Sequence, residues 1–118
     1  MTLGDKQRLF SRFLVQLLRY IHLHSHEVVV GEVFRPPEQA QRMFDIGKGI
    51  VNSNHTRCLA VDLSLFLNGK YLTNANDYEF AGKYWESLGP PRGLETVWGG
   101  RWKSRDGVHF SIKHGGVG

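Results

Sequence analysis

The sequence predicts a small α+β domain, in which about three helices accompany a small antiparallel sheet. Residues 6–22 carry apolar side chains at spacings of three and four, which is the pattern of an amphipathic helix. Residues 60–67 alternate apolar with more polar side chains, as a half-buried strand does. Asn68-Gly69 follows directly, and an Asn-Gly pair favours the tight turn of a β-hairpin. Together these patterns indicate the α+β class.

The first helix and the strand after it are marked by their apolar residues. The helical stripe consists of Leu9, Phe10, Phe13, Leu14, Leu17, Leu18 and Ile21. Residues 28–30 are three valines, and valine is enriched in strands. Together with residues 32–34 they predict a buried strand that delivers Arg35 at its end.

A short helix is predicted over residues 38–45. Pro36-Pro37 precedes it, and proline suits the first helical turn because its missing N–H would have no partner there. Glycine often follows the last turn of a helix because it adopts left-handed backbone angles readily. Two glycines are predicted to end this helix: Gly47 and Gly49.

The second half of the chain is predicted to run strand, helix, strand. Residues 70–72 return from the Asn-Gly turn as the second strand of the hairpin. Residues 76–88 carry inward-facing aromatic residues at helical spacing, and the Gly-Pro-Pro-Arg-Gly segment at 89–93 ends that helix. Residues 108–112 form a last short alternating run, which predicts another strand.

Three polar residues are placed where these elements can bring them together. Asp62 lies on the less apolar face of its strand, His55 lies in the loop leading into that strand, and His109 lies in the last strand. Imidazole nitrogens and a carboxylate oxygen are ligands that zinc accepts, and a catalytic zinc leaves one position to water. The spacing by itself also allows a surface histidine, a strand-edge carboxylate and a satisfied buried histidine.

The residues of this constellation resemble motifs of a known family. Residues 53–62 (Ser-Asn-His-Thr-Arg-Cys-Leu-Ala-Val-Asp) resemble the motif S-x-H-x-x-G-x-A-x-D of the zinc peptidases that include D-alanyl-D-alanine carboxypeptidases, vancomycin-resistance dipeptidases and phage L-alanyl-D-glutamate endopeptidases. Residues 106–109 resemble the second motif, an acidic residue three before the third ligand. Residues 35–39 and 98–102 resemble the R-T-x-E-Q and W-G-G-x-W segments of the endopeptidase branch. The similarity covers roughly residues 32–112 in the family's order and is closest to the phage endolysin branch.

The resemblance implies a zinc site in a cleft on the sheet and a role for each motif residue. His55, Asp62 and His109 would bind one catalytic zinc, which activates a water and polarises the scissile carbonyl. Asp106 would be the general base that takes the water's proton and passes it to the leaving amine. Three residues are predicted to contact the substrate: Arg35, Ser53 and Trp98.

Each of these substrate-binding roles has an alternative. For Trp98 it is a place in the core or in the wall of the cleft. Arg35 can clamp a substrate carboxylate in a bidentate fork, or it can form a structural salt bridge with Glu32 or Glu38. Ser53 can hydrogen-bond the substrate, or it can orient a metal ligand.

Two features of the chain depart from a simple zinc peptidase pattern. Cys58 stands where the family usually has glycine, and glycine there would suit an unusual backbone angle. We predict that Cys58 is a small buried thiol, with zinc ligation or redox sensing as lesser alternatives. The alternating histidines His22, His24 and His26 resemble a metal site, but a solvated helix terminus is the favoured interpretation.

Composition predicts one domain and excludes several classes. The 118 residues, 41% of them hydrophobic, suit a single catalytic domain over residues 1–118 without a separate cell-wall-binding domain. A single cysteine excludes an intramolecular disulfide. The formal charge of +4 is scattered along the chain, so it suits the anionic bacterial wall better than nucleic acid. No apolar stretch predicts membrane insertion, and the amino terminus lacks a signal-peptide pattern.

These observations and the resemblance predict a zinc-dependent endolysin that cuts peptidoglycan, most simply between L-alanine and D-glutamate of the stem peptide. We expect a monomer that stays in the cytoplasm until a holin-type membrane permeabiliser releases it to the wall. One alternative is a D,D- or L,D-carboxypeptidase of the same family. The other is a non-catalytic zinc-containing binding module, since the Hedgehog signalling domain resembles this fold, but such a module would not need Asp106. Calcium regulation is not favoured because no run of acidic residues resembles an EF-hand loop.

Overall fold

The computed structural model describes residues 1–47 and 52–118 and confirms the α+β class. Within these ranges the helices are α1 (Leu3–Leu23), α2 (Pro37–Asp45) and α3 (Glu79–Leu88). The strands are β1 (Glu27–Val30), β2 (Ala60–Leu67), β3 (Lys70–Tyr71), β4 (Thr96–Trp98) and β5 (His109–Ile112). Short 3₁₀ turns complete the regular structure. The helix stop predicted at Gly49 lies outside the described residues, whereas Gly47 follows α2 with a φ of 78°.

The sheet is antiparallel, with strands in the order β1-β2-β5-β4, and β3 also pairs with β2. The predicted hairpin joins β2 to β3, and Asn68 and Gly69 have φ angles of 52° and 78°. Both angles are positive, as the tight two-residue turn requires. β2 is therefore the central strand, and its pairing with β5 places Asp62 directly opposite His109.

The core is formed by α1, α3 and the apolar face of the sheet. From the strands it receives Val61, Leu63, Leu65, Phe110 and Ile112, and from α1 it receives Phe10, Phe13, Leu17 and Ile21. Trp85 of α3 lies at its centre, with three phenylalanine rings edge-on to the indole at centroid distances of 5.7, 6.2 and 6.1 Å. Each such buried side chain stabilises the fold by roughly 1.5–3 kcal/mol. The apolar face of β2 is thus occupied, and its other face is left for the site.

Two glycines make room for a second buried indole, that of Trp98. A Cβ on Gly82 would lie 2.3 Å from the Trp98 ring, and a Cβ on Gly100 would lie 2.1 Å from it. The indole Nε1 donates to the carbonyl of Gly107 at 2.8 Å. Gly82 and Gly100 therefore allow the backbone to pack closely against the Trp98 ring.

The structure corrects two predicted elements and adds a strand that was not predicted. Residues 32–34 are not a strand: β1 ends at Val30, and the chain then runs past Asp62, whose backbone N–H donates to the Glu32 carbonyl at 3.0 Å. The third helix begins later than predicted, because residues 75–78 form a 3₁₀ turn before α3. β4 was not predicted, since three residues are too few to show periodicity.

Among residues 1–47 and 52–118, none of the helices combines the length and apolar character that crossing a bilayer requires.

Candidate metal centre

The three predicted ligands converge at the centre of the sheet. Asp62 and His109 are register partners on β2 and β5, and His55 lies on the 3₁₀ turn Asn54–Arg57 that leads into β2. One potential ligand atom from each residue lies within 4.8 Å of the other two. Nε2 of His55 is 3.3 Å from Oδ1 of Asp62, and the two imidazole centroids are 5.5 Å apart. Two nitrogens and one carboxylate oxygen are a donor set that a metal ion such as zinc accepts.

The His55 ring is oriented by its backbone surroundings. Nδ1 lies 3.2 Å from the carbonyl of Val33, so the proton on Nδ1 can be donated there, which leaves Nε2 facing Asp62. Such a second hydrogen bond fixes the tautomer and direction of a metal-binding histidine. Ser53 caps the 3₁₀ turn, since its hydroxyl oxygen accepts from the His55 N–H at 3.2 Å. This contact is consistent with the second of the two roles considered for Ser53, and Ser53 also lines the cavity beside the ligands, so its contact with substrate stays a prediction.

Asn54, in the same turn as His55, has a structural role that the sequence did not predict. Its side chain is fully buried, and its Nδ2 donates to the carbonyls of Ile112 at 3.0 Å and Val117 at 2.7 Å. These bonds attach the His55 turn to β5 and to the segment that follows it. That segment carries an isolated antiparallel bridge between His114 and Val117.

His109 supplies an independent test of whether the site suits a metal. Its Nε2 is buried and has no hydrogen-bond partner anywhere in the described residues, and such groups require an explanation. Burial and, after it, the charge of His55 lower the pKa of His109 to about 4, so the ring is neutral at ordinary pH. A histidine binds a metal ion in its neutral form. The neutral His109 ring meets this condition, and its buried Nε2 is not used by another hydrogen bond. The residues present therefore fit a metal ion.

The pKa values of His55 and Asp106 are both shifted by burial and by the nearby Asp62. Burial by itself would lower the pKa of His55, but the hydrogen bond and charge of Asp62 outweigh it and raise the pKa. Burial raises the pKa of the Asp106 carboxyl, and the charge of Asp62 raises it further. A carboxylate with a raised pKa is a better proton acceptor at neutral pH, which is the property of a general base.

A cavity of about 480 Å³ opens beside the cluster. It is lined by six of the seven predicted site residues: Arg35, Ser53, His55, Asp62, Asp106 and His109. Three further side chains in its wall were not predicted: Trp102, Ser104 and Arg105. Trp102 ends the segment 98–102 that resembles the endopeptidase branch. Ser104 and Arg105 lie between that segment and the second motif, where no sequence pattern separates a cavity wall from a surface turn.

The prediction that Trp98 contacts the substrate is wrong for this structure. Its side chain is 0% exposed, because Gly82 and Gly100 let the indole enter the core. Trp102 takes the place at the cavity instead: it is 38% exposed, and its ring lies 4.7 Å from that of His109. The Gly99-Gly100 turn thus separates one buried indole from one presented to the cavity.

Arg35 forms the salt bridge that was one of its two predicted roles. Its Nε and Nη2 donate to the same oxygen of Glu32, at 2.8 and 2.5 Å, and the side chain is largely buried. That oxygen is also 3.8 Å from Nδ1 of His55, so the pair borders the ligand. Nη1 of Arg35 has no hydrogen-bond partner within the described part of the chain, and the carboxylate clamp stays a prediction for it.

The variant Arg35→Lys separates these roles. We expect the free energy of unfolding to fall by about 1 kcal/mol, because lysine cannot make both hydrogen bonds to Glu32. We expect kcat/KM per folded molecule to change by less than about tenfold. Thermal denaturation and steady-state kinetics on the same preparation provide both values. A fall in kcat/KM of more than about tenfold at unchanged Tm would identify Arg35 as the clamp.

Cys58 adopts the backbone conformation for which the family glycine is suited. Its φ and ψ are 55° and 38°, in the left-handed region that side chains other than glycine occupy at a cost. The thiol is half-buried, not buried as predicted, and the described metal-binding group does not include it. His22 and His24 are exposed at the end of α1, and His26 is half-buried against the Phe80 ring at 4.5 Å, so no metal cluster forms from them in the described ranges.

Comparisons with known proteins agree with this geometry. A family model described as D-alanyl-D-alanine carboxypeptidase matches residues 47–112. The crystal structure of the Serratia marcescens L-Ala D-Glu endopeptidase ChiX matches with a TM-score of 0.73 and 24% sequence identity, covering 93% of this chain and 85% of that chain. This structural likeness shows the fold. A search of curated proteins finds no significant match.

Proposed function

This chain belongs to the D-alanyl-D-alanine carboxypeptidase family of metallopeptidases, and we propose that it is a zinc-dependent peptidase that hydrolyses a bond in the stem peptide of peptidoglycan. One observation carries the proposal. The ligand atoms of His55, Asp62 and His109 converge beside a cavity that Asp106 also lines. A metal site with a separate carboxylate in the same cavity is the arrangement of a metal-assisted hydrolase.

The bond we propose is the one between L-alanine and D-glutamate. Two observations support this choice: ChiX, which shares the fold, is an L-Ala D-Glu endopeptidase, and residues 98–102 carry the Trp-Gly-Gly segment of the endopeptidase branch. A D,D- or L,D-carboxypeptidase is the second candidate, because the matching family model is described by that type of activity.

The chain's own residues account for the steps of such a hydrolysis. Zinc, when bound by the three ligands, would supply a Lewis acid that activates water and polarises the scissile carbonyl. Asp106 accepts the proton of the attacking water and later donates it to the leaving amine, as general acid–base catalysis requires. The Val33 carbonyl and Ser53 hold His55 in place, so that Nε2 faces the site. Trp102 forms an apolar wall beside His109.

Asp106 also weighs against a non-catalytic zinc-binding module. A module that only displays its metal has no use for a half-buried carboxylate in the same cavity, and burying a carboxylate costs free energy unless it is compensated. As parts of the same proposal, the enzyme is a monomeric single-domain endolysin, and a holin-type permeabiliser releases it to the wall. The resemblance of its motifs to the phage endolysin branch supports this part, and the positive formal charge suits an anionic wall.

Digestion of purified peptidoglycan by the zinc-loaded protein tests the proposal. Mass spectrometry of the fragments should find new carboxyl-terminal L-alanine and new amino-terminal D-glutamate. Release of free D-alanine would identify the carboxypeptidase alternative. If active-site residues and zinc are intact and no stem-peptide bond is cut, the peptidase proposal is wrong for this substrate.

A further inference from the structure

Arg105 is a cavity residue with no role in the mechanism above. It directly precedes Asp106 and lines the same cavity as the three ligands. Its Nε donates to the carbonyl of Gly100 at 2.8 Å, and its Nη1 donates to Oδ1 of Asn76 at 2.8 Å. These two bonds hold the guanidinium group at the cavity wall although the residue is exposed. Holding a binding group in place before the ligand arrives reduces the entropy lost on binding.

The charge of Arg105 is not compensated by an acidic partner. Both of its hydrogen-bond acceptors are neutral, and no carboxylate within the described ranges lies within the 4.0 Å of an ion pair. Arg35, the other arginine in the cavity wall, is instead paired with Glu32. Arg105 is therefore the arginine of this cavity whose charge is available for a ligand.

Arg105 also lies in the wall of a second cavity. This neighbouring cavity has a volume of about 340 Å³ and is lined by residues after β3, among them Thr73 and Asn74, together with Gly107. Arg105 is the residue common to the linings of the two cavities. An extended peptide that occupies both cavities has to pass this guanidinium group.

We propose that Arg105 binds the carboxylate of an acidic residue adjacent to the scissile bond, and that the enzyme thereby selects acidic stem peptides over amidated ones. The proposal rests on the proposed function. Guanidinium binds carboxylate through charge-assisted hydrogen bonds, whereas a carboxamide carries no charge and has an NH2 donor in place of one of the two acceptor oxygens. In a peptide that is cut before D-glutamate, Arg105 binds the α-carboxylate of that glutamate.

Two synthetic stem peptides test this, one with a free α-carboxylate on the D-glutamate residue and one with the carboxamide. We expect wild-type kcat/KM to favour the acid by about tenfold or more, as a lost charge-assisted hydrogen bond would. Arg105→Gln should reduce this preference to about one. Arg105→Lys keeps the charge but loses the planar fork, so it should retain part of the preference. Lys103→Gln is the matched control, because it removes an exposed positive charge nearby that does not line either cavity.

The ratio between the two peptides isolates recognition from catalysis. Removing a charge beside Asp106 changes proton transfer for both peptides alike, and this effect cancels in the ratio. An unchanged preference in Arg105→Gln overturns the proposal, as does a preference that Arg35→Lys abolishes and Arg105→Gln retains. Wild-type enzyme that cuts both peptides equally overturns the selectivity but not the proposed function. Wild-type enzyme that cuts neither peptide overturns both.

Discussion

The variant Asp106→Asn should fold and bind metal normally, yet lose at least about a hundredfold in kcat, the usual scale for a positioned general base. Asparagine keeps the size of the side chain and most of its hydrogen bonding, but it cannot take a proton from water. Asp106 lines the same cavity as the ligands, and burial raises the pKa of its carboxyl, both of which suit a base. Turnover of a defined stem peptide measures kcat, while metal analysis and Tm measure the properties expected to stay unchanged.

Glu95→Gln is the matched control for this experiment. Glu95 is 63% exposed, pairs with Lys113 at 3.4 Å and does not line the cavity, so its variant should turn over substrate at the wild-type rate. Normal turnover in Asp106→Asn would contradict the assignment of the base. If Asp106→Asn lost the metal together with activity, Asp106 would be a ligand, and the assignment of Asp62 would have to be reopened.

Loss of the metal should abolish activity completely. We expect one tightly bound zinc per chain, inactivation by a chelator and recovery on addition of zinc. His55→Ala should lose both metal and activity, because Nε2 of His55 is one of three ligand atoms that lie within 4.8 Å of one another. Elemental analysis of the dialysed protein measures the metal content directly, and a chromogenic or mass-spectrometric peptide assay measures the activity.

Zinc binding also has a readout that does not depend on catalysis. A ligand that binds only the folded state stabilises it, by about 4 kcal/mol at a free concentration a thousand times its Kd. Zinc should therefore raise the Tm of the wild-type protein and leave that of His55→Ala unchanged. His24→Ala, which removes an exposed histidine remote in sequence from the ligands, should behave like wild type. A metal-free preparation that still lyses cell walls in the presence of chelator would refute the zinc proposal.

Local sequence patterns were sufficient for much of the fold. The apolar stripe of α1 repeats over several helical turns, and the alternation of β2 repeats over several residue pairs. Each pattern can therefore be recognised without knowing what packs against it. Asn68-Gly69 predicted its turn because the positive φ angles are a property of those two residues. The start of α3 and the whole of β4 were missed, since neither a 3₁₀ turn nor a three-residue strand carries a period of its own.

For the site, the order of the motifs and their resemblance to a known family predicted the ligands and the base, and the structure brings His55, Asp62, Asp106 and His109 to one cavity. Which tryptophan meets that cavity was decided only by the tertiary structure, because Trp98 is buried by glycines distant in sequence as well as adjacent ones. The two arginines differ in this respect. Arg35 pairs with Glu32, a partner only three residues away that the sequence already offered. Arg105 donates to Asn76, which lies 29 residues away, so only the tertiary structure shows that its acceptors are neutral and that its charge is available.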